Sequence, residues 1–294
     1  MPWRQIVLKL GDLDAGAVEA LFERHGAQAV TLSDAADDPV LEPLPGETPL
    51  WRETSLTGLF DVDFDSAALL EALRDSFGLA EPPEISIETL EDRAWEREWL
   101  RDFKATRFGN GLWVCPVDAP SPDDSAAVIR LDPGLAFGTG THPTTALCLE
   151  QIDKIDVSGM RVLDFGCGSG ILAIGALLLG AGSAMAFDID NQAIIASKSN
   201  AAQNGVADRL QATADAAELG RGYSLVLANI LAGPLMELAA ELSNRLAPGG
   251  TLLLSGILSE QARSVMQSYE CWIEFEPPSE RDGWVCLRGT RTAG

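Results

Sequence analysis

From Met160 onward, short apolar runs alternate with helical segments, and this alternation limits the possible folds more than any other feature of the chain. Residues 161–165, 184–187, 225–228 and 251–254 are the kind of short apolar run that a parallel sheet buries on both faces. Between them, residues 171–179 and 191–204 carry helical spacing. Parallel strands joined by helices predict an open, doubly wound α/β sheet, with any ligand at the carboxyl ends of the strands.

At 294 residues the chain is long for one core, so a second domain is expected. Residues 1–90 supply it, reading strand, helix, strand, strand, helix, strand, which is the ferredoxin-like order of an α+β domain. Strands are expected at 3–10, 28–32, 50–60 and 85–90. Helices are expected after Asp14 and over 66–76, where Val18, Leu21 and Phe22, then Leu69, Leu70 and Leu73, share faces. A charged segment, 91–104, reads as a helical connector. Its Trp95 and Trp99 lie four apart, a spacing that marks packing more often than substrate contact. The remainder, 105–294, opens with strands at 112–116 and 126–131.

Charge and cysteine content exclude several functions. The net charge of −23 repels a phosphate backbone and attracts a basic protein, although acidity can also serve solubility alone. Residues 1–90 hold five Lys and Arg against eighteen Asp and Glu, a net −13. Five cysteines without a Cys-x-x-Cys pair, and two distant histidines, predict reduced thiols and no metal site. No apolar run approaches the roughly eighteen residues that span a bilayer. The first residues lack a signal-peptide layout, so a cytoplasmic address is expected.

Four segments carry chemistry. The first is the turn Asp164-Phe165-Gly166-Cys167-Gly168-Ser169-Gly170 between a strand and a helix. Alternate glycines let the backbone turn tightly or approach a ligand, with Asp164 available to the turn or to a ligand ammonium. The turn alone signals only nucleoside binding, because Gly168-x-Gly170-x-x-Ala173 also satisfies a loose dinucleotide pattern. The second is Asp188-Ile189-Asp190 at the next strand end: Asp188 can accept both ribose hydroxyls, whereas Asp190 suits a helix cap. The third is Asn229-Ile230-Leu231-Ala232-Gly233-Pro234. An exposed Asn at a strand end can orient an amine toward a methyl group, chemistry that hydride transfer does not need. A turn-forming Asn is the plainer alternative. The fourth is the Gly- and Thr-rich loop 132–145, including Phe137, Thr141 and Thr145, which can fold over a ligand ahead of a hydroxyl-capped helix. Its His142 suits either a catalytic base or a structural turn.

On these segments, together with Trp95-Glu96-Arg97-Glu98-Trp99, Leu41-Glu42-Pro43-Leu44-Pro45-Gly46 and Leu254-Ser255-Gly256-Ile257-Leu258, the chain resembles the bacterial ribosomal protein L11 methyltransferases over nearly its whole length. The resemblance implies a Rossmann-like domain that holds S-adenosylmethionine and a ferredoxin-like domain that recognises substrate. The substrate it implies is a basic ribosomal protein of the large subunit, methylated on lysine side chains and its N-terminal amine. A monomer is expected, with no direct nucleic-acid or membrane partner. Thr145, Gly166, Asp188 and Asn229 match the family's cofactor contacts; Asp164, Gly168, Phe137 and Thr141 complete the expected site, with Asn229 also catalytic. One departure is Asn191, where the family often has Pro. An RNA methyltransferase, a nicotinamide-dependent oxidoreductase and a non-catalytic binding module are the competing readings.

Overall fold

The computed structural model describes residues 3–35, 53–90, 104–120, 126–131 and 142–292. Its contacts divide the chain into two compact units, Met1–Glu98 and Trp99–Gly294. The expected connector up to residue 103, with Trp95 and Trp99, and the proline-bearing segment 39–46 lie outside the described residues.

The first unit comprises β1 (Trp3–Lys9), α1 (Ala15–Arg24), β2 (Ala29–Asp34), β3 (Thr54–Asp61), α2 (Ser66–Phe77) and β4 (Ile85–Leu90). Every pairing is antiparallel, in the order β2-β3-β1-β4, the ferredoxin-like arrangement. Alternation on β1 and β3 sends Ile6, Leu8, Leu56 and Phe60 to one face. There they meet Val18, Leu21 and Phe22 of α1 and Leu69 and Leu73 of α2 in a single core. Each helix starts on an aspartate whose carboxylate takes a free backbone N–H of the first turn: Asp14 from Ala17 at 2.8 Å and Asp65 from Ala67 at 3.0 Å. The strand expected from residue 50 begins at Thr54.

The second unit opens with β5 (Thr106–Phe108), β6 (Leu112–Pro116) and β7 (Ala127–Leu131), which form a separate three-stranded sheet. There follow α3 (Pro143–Asp153), β8 (Arg161–Phe165), α4 (Ile171–Leu178), β9 (Ser183–Phe187), α5 (Asn191–Gln203), β10 (Leu210–Thr213) and β11 (Tyr223–Asn229). The chain ends with α6 (Ala232–Glu237), α7 (Ala239–Arg245), β12 (Leu246–Leu258), α8 (Ala262–Tyr269), β13 (Ile273–Phe275), β14 (Ser279–Arg281) and β15 (Trp284–Arg291).

The large sheet runs β10-β9-β8-β11-β12-β15-β13, with β14 also paired to β15. Its five strands from β10 to β12 are parallel, and α3, α4 and α5 pack one face while α6, α7 and α8 pack the other. Two features go beyond the sequence reading. β12 extends well past the expected 251–254, and β13 to β15 add an antiparallel edge. Among the described residues no helix is long and apolar enough to cross a membrane.

From β8 the chain moves outward to β9 and β10, then returns to place β11 on the other side of β8. The order therefore reverses between β8 and β11, which opens a crevice beyond their carboxyl ends. Register fixes what lies there. Phe187, Phe165 and Ala228 pair across β9, β8 and β11, so the next residues along the three strands are Asp188, Gly166 and Asn229.

Gly58 of β3 lies against the α1 core. A Cβ there would overlap the Phe22 ring and come within 2.8 Å of Phe60. Gly58→Ala should destabilise the first unit by about 1–3 kcal/mol through overpacking. Denaturant unfolding checks this, and an unchanged midpoint would show that the core yields there.

Candidate functional site

The glycine turn is hooked onto the strand beside it. Gly166 and Cys167 both donate their N–H groups to the Phe187 carbonyl, at 2.8 and 2.9 Å. Gly166, Gly168 and Gly170 take φ values of +75°, +52° and +76°, a region in which a Cβ is strained. The side chains of α5 hold the turn from outside: Ser197 Oγ donates to Gly168 O at 2.9 Å, and Asn200 Nδ2 to Ser169 O at 2.9 Å. These two residues were not foreseen, because nothing in sequence indicates which helix face will meet the turn.

Asp164 is 1% exposed. Its Oδ2 accepts from Ala173 N at 3.0 Å, in the first turn of α4. Gly170, at the cap position, has no side chain to do so, and the aspartate of the preceding strand takes that part. Its Oδ1 is buried and has no hydrogen-bond partner among the described residues. Burial pushes the Asp164 carboxyl up to about 7; the Ala173 N–H works against that shift, and the charge of Asp188 adds to it.

Asp188 is half-buried at the end of β9. Its Oδ2 accepts from Gly168 N at 2.9 Å and its Oδ1 from Asp190 N at 3.0 Å. A carboxylate has about four acceptor positions, so one on each oxygen remains for hydroxyls. Asp190 caps α5 through Gln192 N at 2.8 Å, the structural part expected of it. Asn191, the departure from the family's usual Pro, starts that helix without difficulty.

Asn229 ends β11, and its Nδ2 donates to Thr145 Oγ1 at 3.3 Å. Thr145 is 1% exposed on α3. The amide nitrogen is so engaged, and the carbonyl oxygen is the acceptor end of the Asn229 side chain. Phe137 and Thr141 lie outside the described residues.

His142 has a structural part. It is the N-cap of α3, its Nδ1 lying 3.4 Å from Thr144 N and 2.8 Å from Thr144 Oγ1, with the ring edge-on to Trp284. The cap is therefore an imidazole, not the hydroxyl expected from sequence. Burial lowers the pKa of the ring, which favours the neutral form that accepts at Nδ1. Among the described residues no group of three or more His, Cys, Asp or Glu could hold a metal ion.

The turn, Asp164, Asp188 and Asn229 thus converge from three strand ends. Glycines without side chains, an unpartnered buried oxygen on Asp164 and a spare-capacity carboxylate on Asp188 suit a ligand carrying an ammonium and a ribose, and S-adenosylmethionine fits that description.

Comparison with known proteins agrees. The family model described as ribosomal protein L11 methyltransferase (PrmA) matches residues 2–292. The ribosomal protein L11 methyltransferase of Vibrio cholerae is 48% identical over 294 residues, covering 99% of each chain. That of Chromohalobacter salexigens is 50% identical over 299 residues, covering 100% of each. A solved structure of ribosomal protein L11 methylase from Lactobacillus delbrueckii subsp. bulgaricus is 35% identical, with a TM-score of 0.59, over 65% of this chain and 100% of that one.

The raised pKa of Asp164 makes a signed prediction. Its folded value of about 7 exceeds the roughly 3.9 of an unfolded aspartate, so its contribution to stability is full below about pH 4. That contribution is lost progressively as pH rises to about 7, and is level above it. The melting temperature of Asp164→Asn minus that of the native chain, both without ligand, should therefore climb between pH 4 and 7. A difference that stays flat across this window would mean that the carboxyl titrates normally.

Proposed function

The chain belongs to the ribosomal protein L11 methyltransferase family, and from that premise we propose that it methylates amines of a basic ribosomal protein at the crevice between β8 and β11. The acceptors are lysine side chains and the N-terminal amine. The observation that carries this reading is the register that sets Asp188, Gly166 and Asn229 side by side beyond the sheet.

S-adenosylmethionine is the methyl donor, and when bound it supplies a methyl group already activated by its sulfonium. What remains for the protein is to bind, align and desolvate. Asp188 would hold ribose hydroxyls, the glycine turn would admit the amino-acid end without obstruction, and the Asp164 carboxyl would balance the ammonium. Asn229 accepts a hydrogen bond from the incoming amine through Oδ1, which points the nitrogen lone pair at the methyl. A lysine with a pKa of about 10.4 must arrive neutral, and a dry crevice lowers that pKa by disfavouring the cation. No side-chain base is assigned to this step, since His142 is committed to its helix.

The acidic first unit, with five basic against eighteen acidic residues in 1–90, docks the basic substrate. Its charge disfavours RNA as the acceptor, and no membrane is involved. The protein acts as a monomer in the cytoplasm.

Incubation with labelled S-adenosylmethionine and separated large-subunit ribosomal proteins tests the reading. Label should enter one protein, on lysine and N-terminal nitrogen; label in RNA alone would overturn the choice of substrate. Asn229→Ala should lower turnover by about 100-fold while changing cofactor affinity less than about threefold, because alignment of the amine is what is lost. Unchanged turnover would remove Asn229 from the reaction.

A further inference from the structure

The segment Leu254-Ser255-Gly256-Ile257-Leu258 has no part in the contacts described above, yet β12 is irregular there. Leu254 pairs with Leu287 and Ile257 with Val285, so three steps along β12 answer two along β15. An extra residue in one strand is a bulge, which bends the chain and re-aims what lies beside it. Ser255 Oγ donates to Val285 O at 2.9 Å across the irregularity. Gly256 takes φ +83°.

The bulge gives room to one residue. A Cβ on Gly256 would overlap the carbonyl oxygen of Ile230, and would lie 2.8 Å from its carbonyl carbon and 3.1 Å from its nitrogen. The other end of Ile230 meets a second glycine: a Cβ on Gly166 would overlap the Ile230 Cγ2 methyl. Ile230 is therefore seated by its backbone on Gly256 and by one methyl on the glycine turn. It directly follows Asn229, whose own side chain is fixed to Thr145.

We infer that Ile230 is a positioning residue whose Cγ2 methyl sets the separation between the glycine turn and Asn229. The inference rests on the methyl-transfer reading above and adds a residue to it. The turn places the methyl donor, Asn229 places the acceptor, and Ile230 is the solid contact between the two. It is only partly buried and packs at the margin of the core, so its shape matters here more than its volume. A β-branched side chain holds Cγ2 in one place because its χ1 is restricted. Valine keeps that methyl and loses only Cδ1. Leucine keeps the volume, but either vacates the Cγ2 position or thrusts a branched Cγ against the turn.

The test compares the full-length native chain with Ile230→Val, Ile230→Leu and Ile230→Ala. For each, kcat at saturating ribosomal protein substrate, the Kd for S-adenosylmethionine by calorimetry, and the melting temperature are measured. Positioning through Cγ2 predicts that Val stays within about threefold of native kcat. Leu and Ala should both fall by about 10- to 100-fold, the cost expected of a misplacement near 1 Å. The Leu variant should melt within a few degrees of the Val variant, which separates alignment from folding. A ranking by volume, with Leu at or above Val, or native kcat in all three variants, would overturn the inference and leave the methyl-transfer reading standing. A native chain that transfers methyl to no ribosomal protein would sink that reading and the inference with it.

Discussion

The pairing of β8 with β9 on one side and β11 on the other is the constraint on which the site depends. Because Phe187, Phe165 and Ala228 share one hydrogen-bonded row, three separate loops leave the sheet at the same height. Side chains alternate between faces, so a slip of one residue in either pairing would move a whole strand's inward set outward and carry Asp188 or Asn229 out of line. Burial enforces the register: Leu163, Val226, Ala228 and Leu254 lie on one side of the sheet and Val162, Leu225, Leu227 and Leu253 on the other, all fully shielded. The core and the site are thus specified by the same contacts.

The crevice combines a flexible backbone that must be held in one shape with a buried carboxyl that is costly to desolvate. Three left-handed glycines occupy one seven-residue turn, and a carboxyl oxygen at Asp164 is buried without a partner among the described residues. Such backbone freedom and desolvation persist only where surrounding structure holds them in place. Here the Phe187 carbonyl, Ser197 and Asn200 supply that support. An ammonium brought to Asp164 would stabilise the ionised carboxylate, so ligand binding relieves part of the cost.

Much of this was legible in the sequence, for reasons that can be named. Strand–helix alternation gave the doubly wound sheet, and Asp14, Leu69 and Leu73 gave the helices of the first unit, because local pattern and cap chemistry are written in neighbouring residues. Glycines at 166, 168 and 170 marked the turn, and Asp188 and Asn229 stood out as polar groups ending apolar runs. The contacts that sequence could not supply are non-local. Ser197 on Gly168, Thr145 on Asn229 and Gly256 beneath Ile230 join residues whose meeting depends on the finished sheet. The antiparallel edge β13–β15 was missed for a similar reason, since two of its strands have three residues each and carry little periodicity. His142 left two readings open in sequence, a base or a structural turn, and its place at the start of α3 gives it the structural one.

The claim most exposed to a single measurement is that Asp188 and its neighbours hold the ribose of S-adenosylmethionine and not a nicotinamide dinucleotide. Isothermal titration of the native chain and of Asp188→Ala with S-adenosylmethionine and with NAD decides it. The expected result is saturable binding of S-adenosylmethionine by the native chain and no heat with NAD. In Asp188→Ala the affinity should fall by at least about 10-fold, the equivalent of losing one or two charge-assisted hydrogen bonds. Equal affinity in the two proteins, or preference for NAD, would contradict the assignment of this crevice.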